Sequence, residues 1–276
     1  MQRNKSQAKK RIINVIKKEW RCIFSNLNSA LFITLLPLII TAQALILIYL
    51  VMNFAGADAL IKTTLGKGME NWANSFPELA ELSLIDRFQV FFFAQFPFYL
   101  LLIPVMIAVS FATFSIIEEK QERTLEPLLA TPVRTWELLL GKALAGAIPS
   151  LIIAWFCAGL FLAGITWMGS AHLLKFVLNA QWFISLFLLV PLFSLLAFML
   201  GVIASSKAND PKTAQNIAII VILPILAILG AQLTGSVVFT SPMLIVLAMV
   251  LGILNFFVLR IAVHLFQRES IVVKWR

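Results

Sequence analysis

The apolar residues of this chain arrive in uncharged blocks of about twenty. That is the length a helix needs to cross roughly 30 Å of hydrocarbon at about 1.5 Å per residue. Such a block can satisfy its backbone in lipid only as a helix, or as part of a closed barrel, whose alternating strand pattern is absent. Six stretches qualify, 28–54, 91–117, 138–167, 181–204, 216–234 and 242–265. The expected fold is therefore all-α, a polytopic membrane protein. Of its 276 residues 61% are hydrophobic and 13% charged, and that balance excludes an ordinary water-soluble enzyme.

Orientation follows from the basic residues. Of the 22 Lys and Arg, eighteen fall in the segment before the first span, at 118–142, at 205–215 and in the tail from Arg260. The other side holds Lys62, Lys67, Arg87 and Lys175. The positive-inside rule then places both termini in the cytoplasm of a multi-pass cell-membrane protein. The net charge of +9 is thus a matter of topology, and no basic patch with base-stacking aromatics points to nucleic acid. Trp20, Trp136 and Trp275 fall at the inner boundary and Trp72, Trp167 and Trp182 at or beyond the outer one, leaving Trp155 in mid-span. The uncharged run 30–51 is too long for a signal-peptide core and reads as a retained anchor.

Residues 1–27 form a separate unit. Ile12, Ile13, Ile16, Trp20, Ile23, Phe24 and Leu27 recur at three- and four-residue steps, while Lys9, Lys10, Arg11, Asn14, Lys17, Lys18 and Arg21 take the other positions. This pattern predicts a basic amphipathic helix lying in the membrane interface, its cations on anionic lipid. From the residues alone it reads first as a positive-inside anchor and only second as a lever touching a partner. Residues 28–276 are expected to form one six-helix transmembrane domain with a long outer loop at 55–90, whose role the sequence leaves open, and an inner one at 118–137.

No Asp, Glu, Lys or Arg occupies the middle of any span, with Lys142 and Arg260 near inner ends. Ion-driven carriers ordinarily need titratable groups at that depth. Cys22 and Cys157 have no ligand-spaced partners, His172 and His264 lie near span ends, and there is no HExxH, Gly-x-Ser-x-Gly or Walker A loop. The sequence provides no catalytic, cofactor-binding or metal site, and no energy source. The uncharged polar residues Gln43, Gln95, Ser110, Thr113, Ser194 and Asn255 are expected to bond between helices, and six in-span prolines (Pro37, Pro97, Pro104, Pro149, Pro191, Pro224) to kink them.

The segment EEKQERTLEPLLATPVRTWELLLGK, 118–142, carries the most information. Glu118, Glu122 and Glu126 step by four to make an acidic stripe, and Glu119 can pair with Arg123 at i, i+4. Leu125, Leu128 and Leu129 make an apolar knob, Pro127 limits the first helix, and Thr131-Pro132 reads as an N-cap followed by Pro at N1. An acidic stripe beside exposed leucines favours docking on a partner over a solvated connector.

This stretch resembles the loop after the second span in permease subunits of type-2 ABC transporters, where Thr-Leu-Glu, a Leu-Leu pair and Thr-Pro-Val precede the third span. SSKANDPKTAQN at 205–216 with Ile222-Leu223-Pro224, and the ending LFQRESIVVKW at 265–275, are similar to the same family. Arg123 stands where many members have glycine. The resemblance implies that 118–132 is the element seated in a groove of a separate ATPase, with Glu118, Glu119, Arg123, Glu126, Leu128 and Pro132 as coupling residues. It turns the N-terminal helix into the family's connecting helix, reversing the preference above. It also implies two ABC ATPase partners that bind ATP and Mg, and a second permease chain, the same or related. The expected function is the membrane half of an ATP-driven exporter of unspecified substrate. The rival readings are a secondary transporter or channel working alone, a membrane-integral enzyme, and a structural subunit.

Overall fold

The computed structural model describes residues 2–25, 27–54, 61–122, 134–208 and 210–265. Arg123, Glu126, Leu128 and Pro132, with the rest of 123–133, lie outside them, as does the tail ending 266–276. Among the described residues the chain is helical throughout, with no strand. Helix α1 covers Gln2–Ser25 and α2 Leu27–Phe54. A short α3, Thr64–Ala73, and a 3-10 turn, Pro77–Glu81, precede α4, Leu84–Leu100, and α5, Leu102–Gln121. Helix α6 runs Thr135–Trp167. After two small turns (α7, Leu174–Val177) the chain enters α8, Ala180–Ile184, a π segment, Ser185–Leu189, and α9, Val190–Lys207. Helix α10, Pro211–Ala218, a 3-10 turn, α11, Ile222–Leu233, and α12, Ser241–Leu265, complete it.

Five helices are long and apolar enough to cross a membrane: Ile33–Val51, Leu84–Gln121, Thr135–Trp167, Ala180–Ser206 and Ser241–Leu265. The stretch expected as a single span over 216–234 is instead broken, and its continuous apolar part, α11, has 12 residues. At about 1.5 Å per residue that reaches roughly 18 Å, short of the hydrocarbon thickness. Proline supplies the reason. Pro224 brings no N–H to bond the carbonyl four residues back, and the chain tightens into the 3-10 turn at Ile219–Val221 just before it.

Proline shapes two other places. Helices α4 and α5 meet at Leu101, where Pro104 offers no N–H to the Leu100 carbonyl, yet Leu101 still donates to Pro97 O at 3.2 Å and the two run on as one crossing. In the fourth crossing Val190 N–H donates to Ser185 O, the five-residue step of a π turn. In that register the donor due to Leu186 O would come from residue 191, which is proline. The Trp155 indole supplies the missing bond from α6, its Nε1 donating to Leu186 O at 3.3 Å. The one tryptophan placed in mid-span by sequence thus repairs a gap that Pro191 opens. Trp155→Phe is expected to leave that carbonyl unpartnered and to cost about 1–3 kcal/mol, read as a lower thermal midpoint of the purified chain.

Helix α5 packs along α9, and α9 along α12, around one apolar cluster that includes Leu101, Val109, Phe198 and Leu251. A second cluster joins α4, α2 and α6, with Phe96 and Phe161 stacked at 3.6 Å between centroids. The outward faces of α2 and α12 stay apolar and exposed (Leu35, Ile39, Ile253, Phe257), as surfaces that meet lipid should be. Of the uncharged polar residues expected to bridge helices, Asn255 does so, donating to Leu192 O at 3.1 Å. Thr113 instead bonds carbonyls of its own helix, Val109 and Ser110.

The bundle has two ends. One gathers α1, the last turns of α5 and α9 and the start of α6. The other carries the 61–83 segment, folded as a cap on α4 and α11 rather than as a plain connector. Ser83 caps α4, accepting from Asp86 N–H at 3.2 Å, and Arg87 donates back to the carbonyls of Leu82 and Ala80. Helix α11 ends in a Schellman turn, with Gly235 N–H on Gln232 O, Ser236 N–H on Ala231 O, and Gly235 at φ +66°. Helix α3 rests on this turn through Gly68.

Candidate functional site

The α1 end concentrates nearly all the buried charge among the described residues. Four side chains close a ring there. Lys18 Nζ lies 2.6 Å from Glu119 Oε1 and 3.3 Å from Glu19 Oε1, and Lys142 Nζ lies 3.0 Å from each of the same two oxygens. Ser115 completes it, accepting from Lys142 at 2.6 Å and donating to Glu19 Oε2 at 3.1 Å. Lys18 and Glu19 come from α1, Ser115 and Glu119 from α5, and Lys142 from α6, so one cluster ties three helices. Its two cations and two anions cancel, which allows Lys142 to sit 1% exposed and Glu19 4% exposed. A charge this far inside a span is tolerated where partners neutralise it.

Local structure delivers each member. Lys142 lies two turns into α6, beyond Glu137, which stands at the third helical position. Glu137 accepts from Arg134 N–H at 3.1 Å, capping the start of α6, and grips the Arg11 guanidinium of α1 with two bonds of 2.8 and 2.7 Å. Arg11 and Lys18 are seven residues apart on α1, two turns on one face, so both reach the neighbouring bundle. Trp20 lies farther along the same helix, and its Nε1 donates to Ala145 O of α6 at 2.9 Å. Close approach is possible because residue 141 is glycine: a Cβ there would stand 2.8 Å from a Val15 methyl.

The electrostatics agree with the geometry. Burial pushes the Glu19 carboxyl up, but the charges of Lys142 and Lys18, with hydrogen bonds from Lys142 and Ser115, outweigh it and hold the group below the usual carboxylate range. Burial pulls the Lys18 ammonium down, and the bond and charge of Glu119 more than offset this, raising it. Arg11 is raised chiefly by its bond to Glu137. Glu19, Lys18 and Arg11 are therefore each held in the charged form at neutral pH.

A second lysine links α5 to α9. Lys120 Nζ donates to the carbonyls of Ser205, Ser206 and Ala208 at 2.7, 3.2 and 3.3 Å. These lie in the last turn and cap of α9, where carbonyls have no helical partner and the helix dipole favours a cation.

The expected coupling residues divide accordingly. Glu118 is exposed at the end of α5, and Glu122, the next step of the acidic stripe, is exposed as well. Glu119 is not on that stripe. It turns inward, 7% exposed, onto Lys18 and Lys142, and its expected i, i+4 partner Arg123 lies outside the described residues. The structure corrects the reading of α1 too. Lys18, expected on lipid with the other lysines, binds Glu119, Arg11 binds Glu137, and the apolar stripe is split. Trp20 bonds into α6 while Ile13 and Phe24 face outward.

Sequence reasoning passed over Glu19, Ser115, Lys120, Glu137 and Lys142. Two signals were present. Glu19 is the one acid in a segment with eight basic residues, and Lys142 falls inside a span, where an unpaired ammonium is costly.

These features define a multi-pass helical membrane protein whose buried charges gather at one end of the bundle, around the connection between its second and third crossings. The model of the ABC-2 family of transporter proteins matches residues 81–257, from the end of the 3-10 turn before α4 into α12, and the chain belongs to that family. It is an ABC permease subunit. No curated protein matches the chain.

Proposed function

We propose that this permease is the passive half of an ATP-driven exporter and is moved through the connection between α5 and α6. The reading is carried by one observation: a single buried ring joins α1 to both flanks of that connection, Glu119 before it and Lys142 after it. Force applied to 118–137 would reach three helices at once through short charged contacts, and would reach α9 through Lys120. Two ABC ATPase subunits, holding ATP and Mg themselves, supply that force at the exposed Glu118 and the following residues Arg123, Glu126, Leu128 and Pro132. A second permease chain, the same or related, completes the pathway, and the two halves alternate between inward-facing and outward-facing or squeezed states. The α1 end is then cytoplasmic and the membrane is the cell membrane. The exposed cations of α1, Lys9, Lys10, Lys17 and Arg21, remain available to anionic lipid.

The test is charge reversal on the docking stripe. In the chain reconstituted with its ATPase, Glu118→Lys combined with Glu126→Lys is expected to cut ATP-dependent transport at least about tenfold, while ATP hydrolysis by the ATPase persists. Transport at the wild-type rate in that variant would overturn the proposal.

A further inference from the structure

The opposite end of the bundle holds a cavity of about 20 Å³ where α3, α4, α8 and α11 converge. Trp72, Gln95, Phe98, Trp182, Gln232 and Phe239 line it. Three of these present polar side chains that are almost wholly buried: Gln95 at 5%, Trp182 at 4% and Gln232 at 6% exposure. Two of them have a polar atom with no protein partner, the acceptor Gln95 Oε1 and the donor Trp182 Nε1. Buried polar atoms are nearly always bonded, because leaving one bare costs free energy. An acceptor and a donor left bare on the wall of one cavity constitute a paired demand.

From this we infer that the cavity is a binding subsite for the hydroxyl group of a neutral amphiphile. A hydroxyl donates and accepts, so one such group answers both Gln95 Oε1 and the Trp182 indole. The volume admits one group of that size. No charged side chain lines the cavity, so an ammonium or carboxylate would enter without a counter-charge and at high cost. That volume takes the hydroxyl alone, so the apolar remainder extends outward past Trp72, Phe98 and Phe239. The site is confined to one chain and lies across the bundle from the charged ring. Its test therefore needs no ATPase, and its failure would leave the coupling proposal standing.

The probe is 1-octanol, compared with octane, octylammonium and octanoate, added to the full chain in lipid nanodiscs and read by thermal unfolding. The wild type is expected to gain saturable protection from octanol and none from the other three. Gln95→Leu and Trp182→Phe each remove one bare atom, so each should unfold at the wild-type temperature or above it. Each should also bind octanol about threefold to tenfold more weakly. If Gln95→Leu is not recovered folded, Trp182→Phe reads the same question. Equal protection by octane, or by either charged probe, overturns the inference. So does an absence of octanol protection in the wild type; a lowered unfolding temperature in Trp182→Phe would then mark a purely structural hydration site.

Discussion

Lys142→Met should be the most damaging single substitution in this protein. The ammonium is 1% exposed and lies 3.0 Å from both Glu19 and Glu119. Removing it leaves Glu19 buried with the 3.3 Å contact to Lys18 and the bond from Ser115, and takes a cation away from Glu119. Deleting one partner of a buried ion pair costs about 3–5 kcal/mol, because the stranded charge keeps its desolvation penalty without compensation. Thermal melting of the chain in nanodiscs should display a loss of that order. Adding Glu19→Gln should recover more than half of it, since the remaining Lys18–Glu119 pair is balanced. A Lys142→Met chain that melts like the wild type would remove the ring as a structural element. Neutralising both charges also separates two roles: if the double variant regains stability but not transport, the ring transmits motion as well as holding the fold.

Gly68→Val ranks next. A Cβ at Gly68 would stand 2.1 Å from the Leu233 carbonyl oxygen and 3.0 Å from its carbon, and backbone atoms at the end of α11 cannot swing aside as a flexible side chain would. The α3 cap would have to lift from the Gly235 turn. The expected cost is at the top of the usual overpacking range, about 3 kcal/mol. Trp72, four residues along the same helix and 6% exposed, should then become accessible to an aqueous quencher. Unchanged quenching and an unchanged melt would mean that α3 is not seated as described.

The extent to which the sequence revealed this structure varies with the kind of signal. Long apolar blocks are read through length and hydropathy alone, so α2, α6 and α12 match their expected stretches within a few residues. The 216–234 stretch is apolar enough, but hydropathy does not register the break that Pro224 imposes on the backbone, and the continuous helix shrank to α11. The ring was harder. Helical periodicity offered Glu119 a partner four residues away, and gave no hint of the partners it finds at positions 18 and 142. Periodicity reports neighbours on one helix, and the ring is made between three. The Trp155 bond needed two facts together, a π register and a proline that cannot donate, and only the first is invisible in the sequence. Residues 126, 128 and 132 of the proposed docking stripe lie outside the described residues, so that assignment rests on the family likeness and the exposed Glu118 beside it.

Lys120 has one more implication. With its ammonium held by three carbonyls in the last turn and cap of α9, pulling the second and fourth crossings apart at that end would break all three bonds together. The two crossings are thereby clasped at that end. If the permease moves as proposed, the 3-10 turn at Ile219–Val221, just before α11, is the expected place for it to bend.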